Sequence, residues 1–202
     1  MVRPRGFDDD EAEQALLDAF WRRGYARTSV PDLTAATGLL AGSLYSAFGS
    51  KEDMFRRALR RYVADLAAEL ASPKTGIEGL VEILHAIVRL TVRDRERRGC
   101  LLLNVIPEAA GLSADTRREL DQGLGAMKAL LGLRLREARD VSGAKVDLEP
   151  LTALVFAAAV AIRVLGRAGQ DRKLLQNVAD GAVQAVRARL EADRPGRKGA
   201  RK

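Results

Sequence analysis

An all-α fold of about nine helices is what this sequence predicts, and three observations predict it. Apolar residues recur at the three- and four-residue spacing of a helix face along most of the 202-residue chain, and no stretch shows the alternation of a strand. The breaks between these segments carry helix start and stop residues, Ser or Asp before and Gly after. Hydrophobic residues make up 47% and charged residues 30%, with Ala and Leu dominant and aromatics only 4%, the composition of a soluble, folded, helix-rich chain.

The first helix is expected over residues 8–23, with Ala12, Leu16, Ala19 and Phe20 on one face and an acidic first turn suited to the helix dipole. Gly24 ends it. Ser29, Pro31 and Asp32 then supply a cap, an early proline and an acid that open a short second helix to Thr37. After a bend at Gly38, Leu40, Leu44 and Phe48 predict one apolar stripe on a short third helix. Gly49 stops it, and a second capping box, Ser50 to Asp53, opens a long fourth helix closed by Ser72, Pro73 and Gly76. Further helices are expected at about 77–93, 99–110, 113–141, 148–167 and 171–192. The 148–167 helix is apolar nearly all round, whereas the last carries its stripe at Leu174, Leu175, Val178, Gly181, Ala182, Ala185, Val186 and Leu190.

Charge and chemistry exclude several classes. The net charge is +7, but residues 187–202 hold seven Lys/Arg against two Asp/Glu, so most of the excess lies in the tail. The apolar run from Leu151 to Ile162 reads as too short to span a bilayer, and Phe7 is followed by three aspartates, so neither membrane span nor signal peptide is expected. One histidine and one cysteine leave no catalytic triad, no disulfide and no metal-ligand set; catalysis, cofactor and metal are not expected, and the expected location is cytoplasmic.

Two short helices joined by a Gly-containing bend and braced on both sides form a helix-turn-helix, whose second helix can enter the major groove. Over residues 20–52, the run from Phe20 and Gly24-Tyr25 through Thr28-Ser29, Gly38, Ser43-Leu44-Tyr45, Phe48 and Ser50-Lys51-Glu52 closely resembles the signature of the TetR family. That resemblance implies a DNA-binding domain at residues 1–50, a ligand-binding and dimerisation domain at 51–193 and a basic tail at 194–202. It also implies a homodimer that pairs through the last two helices, grips a palindromic double-stranded operator and lets go when a small-molecule inducer binds.

Thr28 and Ser29 sit at a helix start where hydroxyls and amides hold phosphate, and Ser43, Tyr45 and Lys51 offer further backbone contacts. The resemblance turns Ala41, Gly42, Tyr45 and Ser46 toward base edges, with Leu44 and Phe48 inward. No charged or amide side chain begins the third helix, so specificity is expected from close backbone approach, methyl contacts and DNA shape. Arg3 and Arg5 form a basic lead that can reach the adjacent groove. Small residues at Ala157, Ala158, Ala159, Ala161, Gly181, Ala182 and Ala185 suit close helix pairing between copies. Arg163 and Arg167 mark either the end of this apolar surface or polar groups of a pocket.

An inducer pocket is expected to draw on Leu84, His85, Val88, Leu103, Asn104, Met127, Leu131 and Phe156, although core packing explains each apolar one better. Cys100, in Gly99-Cys100-Leu101, resembles a segment of family members that respond to electrophiles or oxidants, and Arg97 and Arg98 beside it would favour thiolate. Burial as a small hydrophobe is the alternative. A helical adaptor that does not bind DNA also remains open.

Overall fold

The computed structural model describes residues 8–194, so Arg3, Arg5 and the basic tail beyond Arg194 lie outside the described residues. Among the described residues the chain is all-α, with no strand: α1 (Asp9–Arg23), α2 (Val30–Thr37), α3 (Ala41–Phe48), α4 (Lys51–Glu69), α5 (Gly76–Arg93), α6 (Leu101–Val105), α7 (Ala114–Ser142), α8 (Glu149–Arg167) and α9 (Arg172–Ala192), plus a 3-10 segment, η1 (Ile106–Gly111). Element ends fall close to expectation because local groups set them. The Asp8 carboxylate accepts the Asp10 amide at 2.8 Å to start α1. At α2 the Ser29 hydroxyl accepts the Asp32 amide while Asp32 Oδ2 accepts the Ser29 amide, so two orphan donors are satisfied reciprocally. The single helix expected at 99–110 is instead α6 followed by η1, because Pro107 has no N–H with which to extend an α-helical ladder.

Packing groups the chain into two compact units. Among the described residues, the first comprises those up to Leu66 together with Leu101–Gly123, and the second comprises Ala67–Cys100 with those from Leu124. In the first unit, Leu16, Phe20, Leu33, Leu44, Met54 and Phe55 are fully buried. Phe55 meets Phe20 edge-on at 5.0 Å and Tyr25 at 5.0 Å, and Trp21 meets Tyr62 at 4.9 Å. Such pairs contribute about 0.5–1.5 kcal/mol each beyond their burial, fixing α1 against α4.

In the second unit α5, α8 and α9 pack on one another. By length and composition α8 is apolar enough to cross a membrane, which corrects the reading of Leu151–Ile162 as too short; that reading counted the unbroken run and not the whole helix. Here one face of α8 belongs to the core, with Leu151, Val155, Ala159 and Ile162 buried. Buried Arg163 donates to the Gly99 carbonyl at 2.6 Å and to Thr91 Oγ1 at 3.2 Å, which a lipid-facing helix would not accommodate.

The stripe on α9 divides in two. Leu175, Ala182, Val186 and Leu190 are buried, whereas Leu174, Gly181 and Ala185 are exposed, because the expected set spans more of the helix circumference than α5 and α8 cover. On α8, likewise, Ala158 and Ala159 are core residues while Leu154, Ala157 and Val164 face outward.

Candidate functional site

Residues 29–48 form two helices of eight residues each, joined by Gly38 in the left-handed conformation (φ 69°, ψ 6°), where its amide donates back to Thr34 O. Leu33 anchors α2 and Leu44 and Phe48 anchor α3, all three buried. The rest of α3 faces out: Ala41, Gly42, Ser43, Tyr45 and Ser46 are exposed, and a Cβ added at Gly42 would touch nothing. A short helix thus shows one continuous face of small side chains, two hydroxyls and one phenol.

Leu40 departs from expectation. It is 80% exposed, not part of the buried stripe, because it is the N-cap of α3 in extended conformation (φ −68°, ψ 149°). Helical spacing from Leu44 does not apply to a residue outside the helix. No side chain caps α3, so its first amides point outward with an exposed leucine beside them. A leucine where Ser, Thr, Asn or Asp is favoured is the sequence signal for this arrangement.

Thr28 is a second correction. It is fully buried and its hydroxyl donates to the Gly24 carbonyl at 2.6 Å, so it locks the α1–α2 connection and presents nothing to a phosphate. The Ser29 hydroxyl donates to Asp32 Oδ2 at 2.7 Å within its capping box, although the residue is exposed. These bonds hold the Asp32 carboxyl below its ordinary 3.8.

Lys51, the first residue of α4, lies over the Tyr25 ring at 4.4 Å. Partial burial lowers its pKa, opposed by the carboxylates of Glu108 and Asp32. Sequence reading missed Glu108 altogether: from η1 its Oε2 accepts the Ala26 amide at 2.7 Å. Glu52 makes a similar bond, accepting the Ser113 amide at 2.8 Å and the Thr116 hydroxyl at 2.7 Å. No local pattern announces contacts this distant in sequence.

The pocket candidates divide between the two compact units. Leu84, Val88, Met127 and Leu131 are buried in the second unit and Phe156 is half-buried there, while Leu103 and Asn104 belong to the first. His85 turns to the surface, where Nε2 pairs with Asp180 Oδ1 at 2.7 Å. Cys100 is buried, and Arg98 is drawn to Asp94 at 3.4 Å and Glu96 at 3.6 Å.

Comparisons with known proteins place this segment within a family. Residues 14–58 match the profile of bacterial regulatory proteins, tetR family. The transcriptional repressor ComR of Escherichia coli K12 is 35% identical over 107 residues, covering 50% of this chain and 51% of ComR, so the chain spans about half the length of that relative. Among solved structures, a cysteine double mutant of the TetR family regulator CifR, complexed with 26-bp double-strand operator DNA, is 32% identical over 91% of this chain and 99% of its own, with a TM-score of 0.79. A TetR regulator from Chloroflexus aurantiacus, 21% identical over 88% of this chain and 94% of its own, shares the fold with a TM-score of 0.74.

Proposed function

The chain belongs to the TetR family of bacterial regulatory proteins, which are not enzymes, and on that premise we propose that it is a cytoplasmic, dimeric repressor that reads operator DNA with α3. The observation that carries this reading is the outward face of α3, where Ala41, Gly42, Ser43, Tyr45 and Ser46 stand exposed over an anchored Leu44 and Phe48. Small side chains let the helix backbone approach base edges closely, and Leu40 and Ala41 supply apolar contact for thymine methyls. Tyr45 and Ser46 reach base edges, and phosphates are held by Ser43, Lys51 and the uncapped α3 amides. Without bidentate side chains, discrimination rests on shape and methyl contacts.

A dimer places two α3 helices about 34–36 Å apart, one turn of DNA. The outward apolar residues Leu154, Ala157 and Val164 of α8, and Leu174, Gly181 and Ala185 of α9, support pairing of these helices with a second copy. Release by a small-molecule inducer in the second unit, near Leu84, Val88, Met127, Leu131 and Phe156, completes the proposal. Reciprocity requires that DNA weaken inducer binding by the same factor.

Selection from random duplexes tests it. Enrichment of a near-palindrome whose half-sites lie about one helical turn apart is expected. Salt-sensitive binding with no enriched sequence would overturn operator reading, and no binding at all would leave the helical-adaptor reading standing. Metabolite screening against the selected duplex then identifies the inducer.

A further inference from the structure

We propose that a cleft in the second unit binds a small oxyanion, the carboxylate or phosphate head of a compact metabolite. The cleft, of about 280 Å³, lies where the turn after α5 meets the turn between α8 and α9. Arg95, Arg97 and Arg172 line it beside Thr91, Val92 and Leu175. All three arginines are exposed, and among the described residues none has an ion-pair partner for its guanidinium. The one carboxylate in the lining, Asp94, is already engaged: Oδ2 accepts the Gly99 amide at 3.0 Å and Oδ1 faces Arg98 Nε at 3.4 Å. Thr91 of the lining is itself held by buried Arg163, which donates to its Oγ1 at 3.2 Å. Three guanidinium groups therefore line a concavity whose one carboxylate is already held by Gly99 and Arg98, and a bound anion offsets their positive charge. Paired N–H groups of a guanidinium match the oxygens of carboxylate and phosphate.

The backbone is arranged around this charge. Arg97 has φ 52°, the only positive φ at a residue other than glycine among the described residues, and such conformations concentrate where function holds them. Its guanidinium lies close against Gly169, where an added Cβ would sit 2.6 Å from Nη1. Glycine at 169 thus leaves the space that the arginine side chain occupies. The volume is at or below the low end of ligand sites, about 300 Å³, which admits a small anion with a short apolar part against Val92 and Leu175 and excludes a long acyl chain.

Titration of the full-length protein with inorganic phosphate and with citrate, at ionic strength held constant by chloride, tests the site by thermal shift and calorimetry. Saturable binding of at least one probe is expected, and which of the two binds separates a phosphate site from a carboxylate site. The double substitution Arg97→Ala and Arg172→Ala weakens that binding about tenfold. Helical content by circular dichroism and affinity for the selected duplex without anion stay at the wild-type level, so failure of this site and failure of operator reading are told apart. Absence of saturable binding for both probes, or undiminished binding in the double variant, overturns the proposal.

Discussion

Glu108 and Ala26, 82 residues apart, are joined by a hydrogen bond of 2.7 Å in which the Ala26 backbone amide donates to Glu108 Oε2. The other carboxylate oxygen lies where a Cβ on Gly24 would come within 2.5 Å, so η1 grips the connection between α1 and α2 at Gly24 and Ala26, on either side of Tyr25. Together with the Glu52 bond to Ser113, this grip holds the helix-turn-helix to the segment that follows α5 within the same compact unit.

Replacing Glu108 tests that grip. Glu108→Ala leaves the Ala26 amide without its acceptor and is expected to cost about 1–2 kcal/mol in urea denaturation, with operator affinity falling several-fold. Glu108→Gln keeps a carbonyl acceptor and is expected to fall between Ala and wild type. Equal stability of all three proteins would show that the bond does no structural work.

Thr28→Val separates packing from DNA contact. The fully buried hydroxyl is lost from the Gly24 carbonyl, so a stability loss of about 1–2 kcal/mol is expected, with the salt dependence of DNA binding unchanged. A phosphate ligand would behave oppositely, and a reduced salt slope at native stability would restore Thr28 to the interface.

Leu40→Ala is expected to leave stability within about 0.5 kcal/mol, since the side chain is 80% exposed, while weakening binding to the selected duplex. A large stability loss measured by thermal denaturation would place Leu40 back among the packing residues.

These residues show where sequence legibility stops. Ser29 with Asp32, and Ser50 with Asp53, announce helix starts because the two groups that bond are three residues apart. Leu44 and Phe48 are legible as buried because both lie inside one helix. Leu40 shares their spacing but precedes the helix, so periodicity misplaced it. Thr28 has the position of a phosphate ligand, but its hydroxyl bonds the Gly24 carbonyl four residues back, which its position beside a helix start does not reveal. Pocket residues and Glu108 depend on which distant segments pack together, and neither capping nor periodicity encodes that.

Acid should weaken the first unit through the two capping boxes. Hydrogen bonds from Ser29 and Ser50 hold Asp32 and Asp53 below their ordinary 3.8, so both carboxylates stabilise the fold above that value and lose the contribution as pH falls through the depressed one. Urea midpoints are expected to hold down to about pH 5 and to drop as pH falls through 3.8 and below, and Asp32→Asn with Asp53→Asn should lower stability at neutral pH and flatten that drop. An unchanged slope in the double variant would assign the acid sensitivity elsewhere.

Ala157→Glu places a charge on the outward face of α8, where the proposed dimer buries it. A monomer in sedimentation velocity with full helical content is expected, because the residue is exposed within a single chain. Persistence of the dimer would move the interface off this face.

The central claim is that α3 reads DNA, and fluorescence anisotropy of the selected duplex with wild-type protein and Tyr45→Ala tests it most directly. Tyr45 is about half exposed, so its loss is expected to leave the thermal midpoint unchanged while weakening operator binding at least about tenfold, with non-specific binding much less affected. Undiminished operator affinity in Tyr45→Ala, at native stability, would contradict it.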